Sequence, residues 1–348
     1  MKQKFIFALS LTLCFLLCLR AEVSASAAKE ALFLCAETVI PNLFPFFVLS
    51  SFLVQVGLTS AIGALLAPAA NKLFGISGSG ASVFIIGMLC GYPTGAKTIA
   101  ELYEKRLLSK QEAEHLLPFC NNAGPLFCIG AVGGMLGNAH TGQFLYILHL
   151  VSAILTGVLL TSVYQKEPAS PSPPVQSVHF GTAISVSMQS AVGSVLSVCG
   201  YVVFFSVLRS LLPPGIGTLL SVPLEVTAAT SVIHTAPISF PLKLVLLSAS
   251  IAFGGFCVLM QVWGFVASTG LSVKNYIRGK LLQTILASGL TAVFLLPVSR
   301  LLRFSVFLLL TAFLFLLIRL TKSVSDSIIR KECKTKESYH EPIPIHRR

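Results

Sequence analysis

The sequence predicts an all-α, polytopic integral membrane protein with two related, inverted halves and discontinuous or re-entrant helices. Three observations carry this expectation. Hydrophobic residues make up 54% of the 348 positions and charged residues only 11%, where a soluble domain carries about 25% charged residues. Several apolar runs approach the roughly 20 residues that cross a bilayer, and mean hydropathy is +0.83. Two further apolar runs are cut short by glycine and proline, which marks the broken helices of secondary transporters.

At the N-terminus, Met1-Lys2-Gln3-Lys4 precedes the apolar run Phe5–Leu19 and then Val23-Ser24-Ala25-Ser26-Ala27. This pattern fits a cleavable signal peptide or a retained first span anchored by Lys2 and Lys4. The retained span is preferred, because another membrane segment follows rather than an exported domain. The net charge of +12 does not point to nucleic acid, because basic residues gather at run ends and in the tail, as the positive-inside rule expects. The nine cysteines form no CxxC and no regular framework, and read as small buried hydrophobes. The seven histidines include no HExxH, so no metal site is legible.

Further runs follow: Pro41–Leu58, Ala81–Tyr92, Pro125–Leu136, Phe144–Val163, Thr182–Leu212, Leu242–Val266, Tyr276–Pro297 and Phe304–Leu320. Ala81–Tyr92 and Pro125–Leu136 flank a polar stretch, 94–120. At about 1.5 Å per residue each crosses only half of a core about 30 Å thick. The predicted organisation is a span over 1–20, a first gate-like half over 21–165, a proline-rich linker over 166–180, a second half over 181–320 and a basic cytoplasmic tail over 321–348. Within the linker, KEPASPSPP is not helical. The halves share faint likenesses, with Gly91 over Gly255, Lys97 over Gln261 and Lys110 over Lys274. Internal duplication explains these; chance similarity between apolar segments is the alternative. Both termini are expected inside, with the two short runs forming one hairpin.

The stretch GYPTGAK, residues 91–97, concentrates the candidate site. Pro93 suits a first helical turn, so a new helix is expected from Tyr92 or Thr94 to about Arg106. Gly91 and Gly95 admit close backbone or ligand approach. Lys97 falls in the first turn, where the helix already carries about half a positive charge. A bound anion answers that misplacement; so does an i,i+4 pair with Glu101. Ser109-Lys110-Gln111-Glu112 is a capping box that opens a second polar helix ending near Pro118. In PFCNNAGP, residues 118–125, Asn121, Asn122 and Gly124 offer amides and an unwound turn, facing either a solute cavity or water at a hairpin tip. Glu225 pairs with a proton or cation, or caps a short helix in a wet loop. Gln261, mid-run, suits a cavity wall. Arg209 and Lys243 lie near run ends, positioned to snorkel.

No GxSxG, P-loop, paired acidic motif or Rossmann fingerprint is present. Substrate passage is therefore expected rather than catalysis, with no cofactor. GYPTGAK, the FCNNAGP–FCIGAVG run, VIPNLFPFFVLSSFL and AFGGFCVLMQV resemble the sporulation integral membrane proteins of endospore-forming bacteria, the YlbJ type with nucleoside-recognition gate domains. The resemblance covers most of residues 20–300 and is looser at PLEVTAAT, around Glu225. It implies kinship with concentrative nucleoside transporters, whose substrates bind at re-entrant tips. It also implies placement in the outer forespore membrane and movement of dipicolinate, a flat pyridine dicarboxylate. On that reading Pro93, Thr94, Gly95 and Lys97 would hold one carboxylate, while Asn121, Asn122, Gly124, Glu225 and Gln261 would complete the site. A nucleoside permease of the same architecture and a non-transporting sporulation membrane protein are the alternatives.

Overall fold

The computed structural model describes residues 2–161, Tyr164, residues 179–295, and the isolated positions Ser305 and Ala312. Linker residues 166–178, most of the expected run Phe304–Leu320 and the whole tail lie outside the described residues.

Every described element is helical. Helix α1 (Lys2–Leu19) leads into α2 (Ala21–Leu34), which continues through a π-helical turn, Cys35–Val39, into α3 (Ile40–Gln55). Together, Ala21–Gln55 form one helix of 35 residues. The run expected to begin at Pro41 therefore starts two helical stretches earlier, and the helix passes Pro41 directly after the wider π-helical turn Cys35–Val39. Helix α4 (Leu58–Phe74) and α5 (Gly78–Cys90) meet at a bend of 89°. Gly63 and Gly78 touch there by backbone alone: a Cβ on Gly63 would run into the Gly78 carbonyl.

Helix α5 stops at Gly91, whose φ of +80° an L-residue rarely adopts. Helix α6 (Thr94–Glu104) follows, with Pro93 as its N-cap residue, and then α7 (Lys110–Cys120). The Ser109 hydroxyl accepts from the Glu112 amide at 3.2 Å, so that half of the capping box forms. The Glu112 carboxylate instead accepts from the Ser77 amide at the head of α5. The chain unwinds at Asn121–Gly124, then forms the π-helical stretch Leu126–Val132 and the short α8 (Gly133–Met135). Long helices α9 (Ala139–Thr161) and α10 (Phe180–Ser210) come next.

Helix α11 (Pro214–Leu224) joins α12 (Val226–Thr235) at Glu225. Helix α13 (Phe240–Phe253) breaks at Gly254 and Gly255, both with positive φ, into α14 (Gly255–Val266); α15 (Lys274–Leu295) completes the described chain. Gly91 and Gly255 each mark a helix break with positive φ, and Lys110 and Lys274 each open a helix at the same distance further on, whereas α6 and α14 between them do not keep that offset.

Among the described residues, four helices are long and apolar enough to cross a membrane: Ala21–Gln55, Ala139–Thr161, Phe180–Ser210 and Phe240–Thr269. Phe5, Leu65, Leu196 and Leu219 are exposed on helix surfaces, as expected where lipid is the solvent. Inside, α6 packs against α3, α5, α7 and α14, and α15 against α7, α9 and α13. Phe74 stacks on Phe119, and Phe84 meets both rings at a tilt. The eight described cysteines are free; Cys14 and Cys18 are exposed and the other six buried.

Candidate functional site

A cavity of about 150 Å³ lies where three interruptions of the helical backbone converge: the break at Gly91, the break at Gly124–Pro125, and the α11–α12 junction at Glu225. The two glycines approach so closely that a Cβ on Gly91 would stand 2.8 Å from the Gly124 amide nitrogen. Thr38 and Asn42 contribute polar groups from the π-helical turn and α3, and Gln261 from α14. Val198, Val202, Val258 and Phe127 supply apolar wall.

Glu225 has an extended backbone and caps α12. Its carboxylate accepts from the amides of Thr227 at 2.9 Å and Ala228 at 2.7 Å. Two orphan donors of the first turn are satisfied this way, and the anion sits at the favourable helix end. Gln261 donates to the Cys257 sulfur at 3.3 Å, a weak acceptor. The Tyr92 hydroxyl belongs to the same wall and is buried without a hydrogen-bond partner among the described residues. Among the described residues, the lining carries one carboxylate and no Lys, Arg or His side chain.

Of the candidates named from sequence, Gly124, Glu225 and Gln261 line this cavity together; Pro93, Thr94, Gly95, Lys97, Asn121 and Asn122 do not. Pro93, Thr94 and Gly95 head α6, where Gly95 and Gly87 both face the Cys120 carbonyl without room for a Cβ.

Lys97 is 3% exposed. Its ammonium forms an ion pair with Glu101 Oε1 at 2.6 Å and lies 5.7 Å over the Phe47 ring. The same oxygen accepts from Ser51 of α3 at 3.2 Å and Ser190 of α10 at 3.1 Å. The charge expected to await a solute is answered within α6. An exposed i,i+4 pair adds only a few tenths of a kcal/mol, but removing one partner of a buried pair strands the other charge at a cost of about 3–5 kcal/mol.

Asn121 and Asn122 are fully buried. Asn121 Oδ1 accepts from the Ala96 amide at 3.4 Å and its Nδ2 donates to the Tyr276 hydroxyl at 3.3 Å. Asn122 Nδ2 donates to the Phe119 carbonyl at 2.6 Å; its Oδ1 accepts from Gln283 at 3.0 Å and Lys280 at 3.4 Å. Lys280 also donates to Gln283 Oε1 at 2.6 Å, and the Ala123 amide donates to His149 Nε2 at 3.0 Å. The asparagines therefore tie the unwound turn to α15, and the Ala123 amide ties it to α9. Tyr276, Lys280, Gln283 and His149 were not among the residues singled out from sequence. The available signal was the i,i+3 pair Lys280 and Gln283 inside an otherwise apolar run, where an ionisable group is a functional marker by default.

An all-helical membrane architecture with a solute-sized cavity between helix breaks is the class this geometry defines. The family described as "Gate: Nucleoside recognition" matches residues 36–211, a range that runs across the proline-rich stretch and all of α10, and the chain belongs to that family. It is 30% identical over 311 residues to the sporulation integral membrane protein YlbJ of Bacillus subtilis (strain 168), covering 77% of this chain and 76% of that protein. No solved structure matches.

Proposed function

We propose that the protein transports a small solute through the cavity between its broken helices, and that this solute is dipicolinate, moved across the outer forespore membrane. The observation that carries transport is the convergence of three backbone interruptions on one cavity. Discontinuous helices expose N–H and C=O groups at membrane depth, which is tolerated where they line a solute path. The recurrence of a glycine break and a lysine-headed helix start around Gly91 and Gly255 supports two related halves.

The identity of the solute comes from the family likeness, and the cavity sets a condition on it. With Glu225 as the acidic side chain and no Lys, Arg or His among the described lining residues, the cavity offers a bare dianion no countercharge. Dipicolinate enters with its charge compensated by protons or a bound cation. A nucleoside is the second reading: the Glu225 carboxylate, the Gln261 amide and the unpartnered Tyr92 hydroxyl suit a neutral heterocycle bearing hydroxyl groups.

Uptake into liposomes containing the purified full chain separates the two. Dipicolinate should enter saturably, above protein-free vesicles, and faster when the outer solution is more acidic. Absence of uptake removes the transport reading, and saturable uptake of nucleosides in place of dipicolinate moves the conclusion to the second solute.

A further inference from the structure

A second chamber, of about 240 Å³, abuts the first; Leu34, Val202, Glu225 and Thr227 line both. Its character is different. Glu30, Ser206, Arg209 and Ser231 bring polar groups to its walls. Across the two chambers, Arg209 is the one cationic side chain among the lining residues. Arg209 is half-buried in the last turn of α10. Among the described residues, neither a hydrogen bond nor an ion pair engages its guanidinium, although Glu30 and Glu225 share the chamber. Glu225 is held by the α12 amides, and Glu30 accepts from Ser26 at 3.3 Å. The end of α10 favours a cation through its dipole, but that does not use the five N–H donors of the guanidinium.

We propose that this polar chamber is the anion-receiving entrance to the solute cavity, and that Arg209 binds the carboxylate of an aromatic carboxylic acid there. The inference rests on the carrier reading given above and supplies the cation that the inner cavity lacks. A planar guanidinium offers two parallel N–H donors to a carboxylate. Beyond it, the Glu225 carboxylate stands in the common wall and repels a second negative group. A dicarboxylate is therefore captured at Arg209 and admitted only once its charge is compensated.

Equilibrium binding of radiolabelled dipicolinate and benzoate to the full chain in lipid nanodiscs tests this, with pyridine as the neutral ring. Arg209→Gln should weaken both carboxylates by at least about tenfold, the loss of one charge-assisted hydrogen bond. Arg209→Lys should recover part of that loss, and pyridine should not discriminate among the three proteins. Arg209→Gln binding both carboxylates as tightly as the parent overturns the proposal, even if its melting temperature falls, since that leaves Arg209 acting only on the helix dipole. A parent protein that binds nucleosides and neither carboxylate overturns it together with the anionic solute. Arg209-dependent carboxylate binding without uptake in liposomes upholds the site and removes the transport reading instead.

Discussion

At the scale of single residues, two clusters of buried polar groups, one around Glu101 and one around Asn122, each predict the result of removing a member. Glu101→Gln leaves the Lys97 ammonium buried without its carboxylate. Breaking a buried pair from one side costs about 3–5 kcal/mol, so a clear loss in thermal unfolding is expected in nanodiscs. Combining it with Lys97→Met should recover most of that loss, and a double-mutant cycle with additive effects would show that the pair is not coupled. Asn122→Leu deprives Lys280 and Gln283 of a shared acceptor and the Phe119 carbonyl of its donor. At about 1–3 kcal/mol per stranded buried group, it should destabilise by at least about 2 kcal/mol, and unfolding midpoints equal to the parent's would contradict the network.

At the scale of elements, the fold depends on helices that approach with nothing between their backbones. Gly87 of α5 and Gly95 of α6 each face the Cys120 carbonyl at the end of α7. Gly87→Val should force α5 and α7 apart and cost about 1–3 kcal/mol or more in overpacking, read as reduced yield of folded protein. Gly134→Ala, with open space at its Cβ position, should express like the parent. Much of this layer was legible from local chemistry: the break at Gly91, the start of α6 at Thr94 and the Ser109 cap all follow from residues within a few positions of the event. The partners were not. Nothing near Lys97 in the chain announces Ser51 or Ser190, and Lys280 on an apolar run looks like any snorkelling lysine until α7 and α9 close over it. The 35-residue helix through Pro41 was obscured because a proline carried past a π-helical turn and a proline that ends a helix look alike in sequence.

For the whole molecule, the cavity between three interruptions implies that solute binding orders segments far apart in the chain. Hydrogen exchange should slow at residues 124–127 and 225–227 when the transported solute is added, while the centre of α9 stays unchanged; uniform slowing across the chain would argue for general stabilisation instead. The motions open to the protein are limited by one atom. Glu101 Oε1 is shared by Lys97 on its own helix, Ser51 on α3 and Ser190 on α10. That oxygen serves as a common fulcrum: α6 cannot swivel without shearing its ties to both neighbours at once, so these three helices travel as a block, and the hinges of any working cycle have to lie elsewhere in the chain.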